Sequence, residues 1–119
     1  MKEFQVDPGG SIGFIPRVIS QDDGCQFMYR VMRRQAGEKD FSISKDMLTT
    51  PYRTELSNLD GHYFILVFTR RPWIWGIPGR WVGTTETEIS RSDDDGVYRF
   101  TGSGIQLEIA VSIYPNPAG

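Results

Sequence analysis

The feature that most constrains this chain is a strict alternation of apolar and other residues between positions 105 and 114. Successive side chains of an extended strand point to opposite faces, so a period of two predicts a strand with one buried face. The buried face would carry Ile105, Leu107, Ile109, Val111 and Ile113. Further strands must pair with this one, because its backbone donors and acceptors need partners.

Strands are also predicted over six other segments, with Cys25 on the apolar face of the second as a buried thiol. These segments are 12–20, 25–32, 41–47, 62–69, 80–90 and 97–101. Segment 62–69 is apolar on both of its faces, which predicts a central strand that is covered on both sides.

Residues 50–59 predict one short helix. Thr50 suits the N-cap and Pro51 the first helical position, while Asp60-Gly61 would end the helix. An apolar stripe at helical spacing consists of Tyr52, Leu56 and Leu59. The predicted order is therefore about four strands, the helix and four more strands.

These elements predict a mainly β fold, a small antiparallel barrel or sandwich of about seven or eight strands with the helix near residues 50–59. A length of 119 residues predicts a single β-rich domain over 1–119. We expect the ends, 1–10 and 115–119, to be flexible, because both contain Pro and Gly and lack a strand pattern.

Composition narrows the function classes. A net charge of −2 argues against a general nucleic-acid binder, which usually has an excess of basic residues. The single cysteine excludes an intrachain disulfide, and the N-terminal segment lacks the apolar core of a signal peptide. The longest apolar run, 63–68, is far shorter than the ~20 residues of a membrane span. We therefore expect a cytoplasmic protein that does not enter a membrane.

The sequence predicts no catalytic residue, metal site or cofactor. Residues 9–13 match G-x-S-x-G but precede a strand, whereas that motif requires a strand-to-helix turn. The acidic run 93–95 does not fit a calcium loop. A small enzyme that uses His62, with Asp60 or Glu55 beside it, remains an alternative that no motif supports.

The segment 70–81, RRPWIWGIPGRW, contains all three tryptophans and three arginines. Two prolines and two glycines make it a loop rather than a regular strand. It has two interpretations: an exposed binding surface, or a corner in which tryptophan seals the core. The candidate ligand- or partner-binding residues are Arg70, Arg71, Trp73, Trp75, Arg80 and Trp81.

A secondary basic patch consists of Arg30, Arg33 and Arg34. It would lie beside the aromatic loop if strands 25–34 and 62–71 are neighbours. The leading hypothesis is thus a non-enzymatic binding or adaptor module for a partner protein or a small apolar or anionic ligand. Accessory proteins of phages and mobile elements are often of this kind.

Two other hypotheses use the same residues. Arginines interleaved with aromatic residues are typical of barrels that bind single-stranded nucleic acid, although the acidic balance counts against this alternative. The aromatic loop could also form the contact of a homo-oligomer.

Overall fold

The structure, a computed structural model, describes residues 1–48, 54–57, 60–71, 75–77 and 79–117. These residues form ten strands and no helix. In chain order the strands are β1 (Phe4–Val6), β2 (Ser11–Gln21), β3 (Gln26–Arg34), β4 (Ser42–Leu48), β5 (Thr54–Ser57), β6 (Gly61–Arg70), β7 (Val82–Gly83), β8 (Thr85–Arg91), β9 (Asp95–Gly102) and β10 (Ile105–Tyr114).

The strands make two antiparallel sheets. The first sheet has the order β1-β6-β3-β4, and β7 pairs with the far end of β6. The second sheet has the order β5-β2-β10-β9-β8. The prediction of a mainly β antiparallel fold is confirmed. Of its two alternatives, a barrel or a sandwich, the closed barrel is wrong. Strands β4 and β8 are edges that pair with no described strand of the other sheet, so the two sheets face each other without closing.

One core lies between the sheets, and the period-two alternation builds it. Alternate residues along most of β3, β6, β9 and β10 are buried there. Aromatic rings bridge the two sheets: Phe4 meets Tyr98 edge-to-face at 6.0 Å, and Phe14 lies 6.3 Å from Tyr29. Cys25 is buried, as its position on the apolar face predicts.

The predicted helix at 50–59 is wrong. Thr54–Ser57 is a strand that pairs with the first residues of β2, from Ser11 opposite Ser57 to Phe14 opposite Thr54. Residues 50–53, 58 and 59 of the predicted helix lie outside the described residues. A spacing of three or four between apolar residues over one short segment does not distinguish the two structures. Pairing prevails here, since β2 would otherwise leave a row of donors and acceptors unpaired.

Two other expectations need correction. Residues 1–10 are not simply a flexible end, because Phe4 and Val6 of β1 are buried in the core. Strand β6 is central but not covered on both sides. Its outward residues Phe64 and Phe68 are half-buried and Leu66 is 39% exposed. Across the described ranges no helix has the length and hydropathy of a membrane span.

Candidate functional site

The segment with the tryptophans leaves β6 at Arg70 and returns to the same strand. On its return, β7 pairs with Phe68 and Thr69. The backbone N–H and the hydroxyl of Thr84 both donate to the carbonyl of Val67, at 3.2 and 3.0 Å. The two ends of the segment are therefore held together at the edge of the first sheet.

A pocket of about 220 Å³ lies at the base of this loop. Its lining residues are Thr69, Arg70, Arg71, Gly79, Arg80, Val82, Gly83 and Ser103. Gly79 permits the closure, because a Cβ at that position would lie 3.0 Å from both the N and the O of Arg71. A side chain at position 79 would therefore crowd the backbone of Arg71.

Neutral groups orient two of the three arginines. Arg70 donates from Nε to Oε1 of Gln26 at 2.6 Å, and its guanidinium carbon lies 4.4 Å from the centre of a Trp81 ring. Arg71 donates from Nη2 to Oγ of Ser103 at 2.5 Å. Arg80 is exposed at the mouth of the pocket. The structure therefore brings four of the predicted site residues together.

No acidic side chain lines this pocket among the described residues. Among the described residues, none of the three arginines at the pocket forms an ion pair with a carboxylate. Three positive charges around one small space repel each other, and no carboxylate of the described residues pairs with them. The described lining of the pocket is therefore basic in a chain of net charge −2.

The tip of the loop is exposed. The side chain of Trp75 is 96% exposed and that of Ile77 is 70% exposed. Trp75 has a φ of 55°, in the left-handed region that non-glycine residues rarely adopt, and Gly76 follows with a φ of 76°. The core-sealing interpretation is therefore wrong for Trp75. Trp81 is half-buried beneath Arg70, and Trp73 lies outside the described residues.

The secondary basic patch is divided. Strands β3 and β6 are neighbours, which was the condition for the patch to lie near the loop. However, Arg33 donates from Nε and Nη2 to the carbonyl of Asp60, at 2.9 and 2.6 Å. Arg30 and Arg34 lie on the outer face of the sheet, over the rings of Phe68 and Phe41. Arg33 is thus a structural contact, and only the other two belong to a common surface.

Six described residues of the site were not predicted as such: Gln26, Thr69, Gly79, Val82, Gly83 and Ser103. Ser103 is in the turn between β9 and β10 and reaches the pocket from the second sheet. Gln26 meets the site through the pairing of β3 with β6, whereas Thr69 directly precedes Arg70 on β6. None of these positions has a motif. Only the tertiary structure brings Gln26 to Arg70 and Ser103 to Arg71.

The single histidine and the single cysteine of the chain lie far apart. His62 is at the start of β6, where its Nδ1 lies 3.4 Å from Oε2 of Glu3. Cys25 precedes Gln26, which pairs with Arg70 at the other end of β6. At the rise of a strand, eight residues separate the two ends of β6 by about 27 Å. The described residues contain no group of three His, Cys, Asp or Glu side chains that could hold a metal ion.

No protein-family model, curated protein or solved structure matches this chain. A function must therefore be argued from the chemistry of the site.

Proposed function

We propose that this protein is a non-enzymatic binding module that holds an anionic group in the pocket formed by Arg70, Arg71 and Arg80. The observation that carries the proposal is the convergence of these three arginines on one pocket that no described carboxylate lines. The ligand would be a small molecule or a partner protein that presents a carboxylate or phosphate.

The chemistry of the pocket favours such a group. Guanidinium is planar and donates parallel hydrogen bonds that match the oxygens of carboxylate and phosphate. Gln26 and Ser103 each hold one arginine through a single short bond, which leaves other donors of Arg70 and Arg71 for a ligand. An arginine that is already oriented loses less side-chain entropy when it binds.

The surroundings of the pocket favour an apolar body attached to the anion. Val82 lines the pocket and is 61% exposed, and the exposed side chains of Trp75 and Ile77 lie on the same loop. Tryptophan and arginine are the residues that most often dominate binding energy at interfaces. The expected ligand is therefore amphipathic, with its charge in the pocket and its apolar part along the loop.

The same residues support binding rather than catalysis. The hydroxyl of Ser103 is hydrogen-bonded to Arg71, and the described lining contains no His, Cys, Asp or Glu that could act as a base. A serine without a neighbouring base is a weak nucleophile.

The test is isothermal titration calorimetry with citrate, inorganic phosphate, pyrophosphate and phenylacetate, each against sodium chloride of equal ionic strength. We expect at least one of these anions to bind wild-type protein, and Arg80→Gln to weaken its binding about tenfold. The matched control is Arg17→Gln, which removes an exposed arginine of the second sheet and should leave binding unchanged. Absence of binding by all four anions, or equal losses in both variants, would refute the proposal.

A further inference from the structure

The loop between β6 and β7, together with its return strand, carries the most exposed apolar side chains of the described residues. Trp75 is 96% exposed, Ile77 is 70% exposed and Val82 is 61% exposed. No other large apolar side chain in the described ranges exceeds 54%. Single exposed apolar residues are ordinary, but a group of them at one place indicates a surface that is covered in use.

The loop keeps its apolar and its charged residues apart. Gly79 lies against the backbone of Arg71 and closes the loop at its base, where the pocket with Arg70 and Arg80 is found. The sequence between Arg71 and Gly79, PWIWGIP, contains no charged residue. Cations therefore stand at the base of the loop, and the described side chains of its tip are apolar.

The charges around this loop have one sign. Residues 61–85 form the longest stretch of the chain without Asp or Glu. Asp22 and Asp23 are in the turn before β3, at the same end of the sheets, but neither lines the pocket. The exposed Ile15 of the second sheet differs, because Arg17 and Glu108 form an ion pair on its face. Only at the loop does strong apolar exposure coincide with arginines that no described carboxylate pairs.

This arrangement favours a lipid surface over a protein or a nucleic acid. Tryptophan is enriched at the boundary between lipid headgroups and acyl chains, and arginine binds phosphate through two parallel hydrogen bonds. A protein interface requires about one hydrogen bond per 100–200 Å², whereas Trp75 offers one N–H and Ile77 offers none. Aliphatic groups such as Ile77 and Val82 provide no ring on which a base could stack.

We propose that this loop binds the surface of a membrane that contains anionic phospholipids. The phosphate of one lipid would occupy the pocket beside Arg71 and Arg80, and Trp75 and Ile77 would enter the interfacial region. The inference rests on the proposed anion site and names the class of its ligand. Interfacial binding needs no spanning segment. It therefore departs from the expectation that the chain does not enter a membrane, which was based on the length of apolar runs.

The experiment is flotation of the protein with unilamellar vesicles of phosphatidylcholine, either alone or with about 30 mol% phosphatidylglycerol. We expect the wild-type protein to float with the anionic vesicles and to stay largely unbound with the neutral ones. Failure to bind the anionic vesicles, or equal binding to both kinds, would overturn the proposal.

Charge variants assign the binding to the pocket. Arg71→Gln with Arg80→Gln should weaken binding to anionic vesicles about 25-fold, because each basic residue near such a surface strengthens binding about fivefold. The matched control, Arg17→Gln with Arg99→Gln, changes the net charge equally and should leave binding almost unchanged. Equal losses in the two double variants would show that net charge alone attracts the protein, and the proposal would fail.

Apolar variants assign the binding to the tip. Ile77→Ser should weaken binding to anionic vesicles about tenfold, whereas Ile15→Ser, at an exposed isoleucine of the second sheet, should not. The tryptophan emission of the wild type should shift to the blue when anionic vesicles are added, and Trp75→Phe should remove most of that shift. Circular dichroism shows that each variant is folded. Equal binding by the two isoleucine variants, or a full shift in Trp75→Phe, would contradict insertion of the tip.

Calorimetry on the wild-type protein separates this proposal from the preceding one. Binding of a soluble anion without binding of anionic vesicles would overturn the lipid assignment and leave the pocket as an anion site. Absence of both would refute both proposals.

Discussion

Two groups of arginines in this protein differ in how their charge is compensated. On the outer face of the second sheet, Arg17 and Arg99 share Glu108, with N–O distances of 2.8 and 2.6 Å. The register places the three residues directly opposite each other on β2, β10 and β9.

At the base of the loop, Arg70, Arg71 and Arg80 surround a pocket, and their described partners are neutral. In the first group each arginine contacts the carboxylate that the two share, and these contacts link three neighbouring strands of the sheet. In the second group no described carboxylate compensates the positive charge, and this supports the binding site proposed above. This difference shows that the positions of the carboxylates, rather than the number of arginines, indicate where positive charge is available for a ligand.

The largest expected effect is on ligand affinity. The double change Arg71→Gln and Arg80→Gln should weaken anion binding about a hundredfold, because each hydrogen bond to a charged group contributes about 1.5–3 kcal/mol. Calorimetry against the anion that binds wild-type protein best measures this loss. The control is Arg17→Gln with Arg99→Gln, which removes the same number of arginines from the second sheet. A comparable loss in the control would mean that net charge, and not the pocket, determines binding.

The next effect is on fluorescence. Trp75 is almost fully exposed and Trp81 is half-buried beneath Arg70, so iodide should quench the first residue much more than the second. We expect Trp75→Phe to remove a red-shifted, quenchable component, and Trp81→Phe to leave that component in place. Stern–Volmer plots of the two variants and of the wild type provide the comparison. If Trp75→Phe left the quenching unchanged, that result would contradict the exposure of Trp75 at the tip of the loop.

A smaller effect is expected on stability. Arg99→Gln should lower the Tm by roughly 1–4 °C, because it removes two hydrogen bonds from Arg99 to Glu108 at the surface. Arg80→Gln should leave the Tm unchanged or raise it slightly, because it reduces repulsion among like charges. Differential scanning calorimetry in the absence of added anion distinguishes the two. The comparison fails if Arg80→Gln is the more destabilising change.

The smallest effect concerns pH. Hydrogen bonds from Arg99 and Arg17 hold the pKa of Glu108 below its ordinary value of 4.5. A carboxylate with a lowered pKa in the folded state stabilises the protein fully above its unfolded-state pKa, and this contribution is lost as the pH falls through the folded-state value. The free-energy difference between wild type and Glu108→Gln should therefore be constant near neutral pH and shrink below pH 4.5.

Urea unfolding at a series of pH values measures that difference. In a background of Arg17→Gln and Arg99→Gln, the change with pH should disappear. If it persisted there, another group would have to be responsible.

Local pattern was sufficient where one face of a strand is buried. The alternation in 105–114 and 25–32 predicted which side chains are buried, because the residues on one face of each strand are also the apolar ones. It was insufficient for β1, whose three residues are too few to show a period. It failed for residues 54–57, where pairing with β2 decides the conformation. Residues 62–69 are apolar on both sides, which indicated a covered strand, and yet their outer face is open.

The sequence by itself determined that this chain forms antiparallel sheets, and that its arginine- and tryptophan-rich segment is a loop. Both follow from local causes: the alternation of side chains along a strand, and the backbone limits of Pro and Gly. Only the tertiary structure decided which arginines are neutralised and which surround a pocket. Glu108 lies 91 residues from Arg17, and Ser103 lies 32 residues from Arg71. Charge compensation depends on distances across paired strands, and strand order is not encoded in any local pattern.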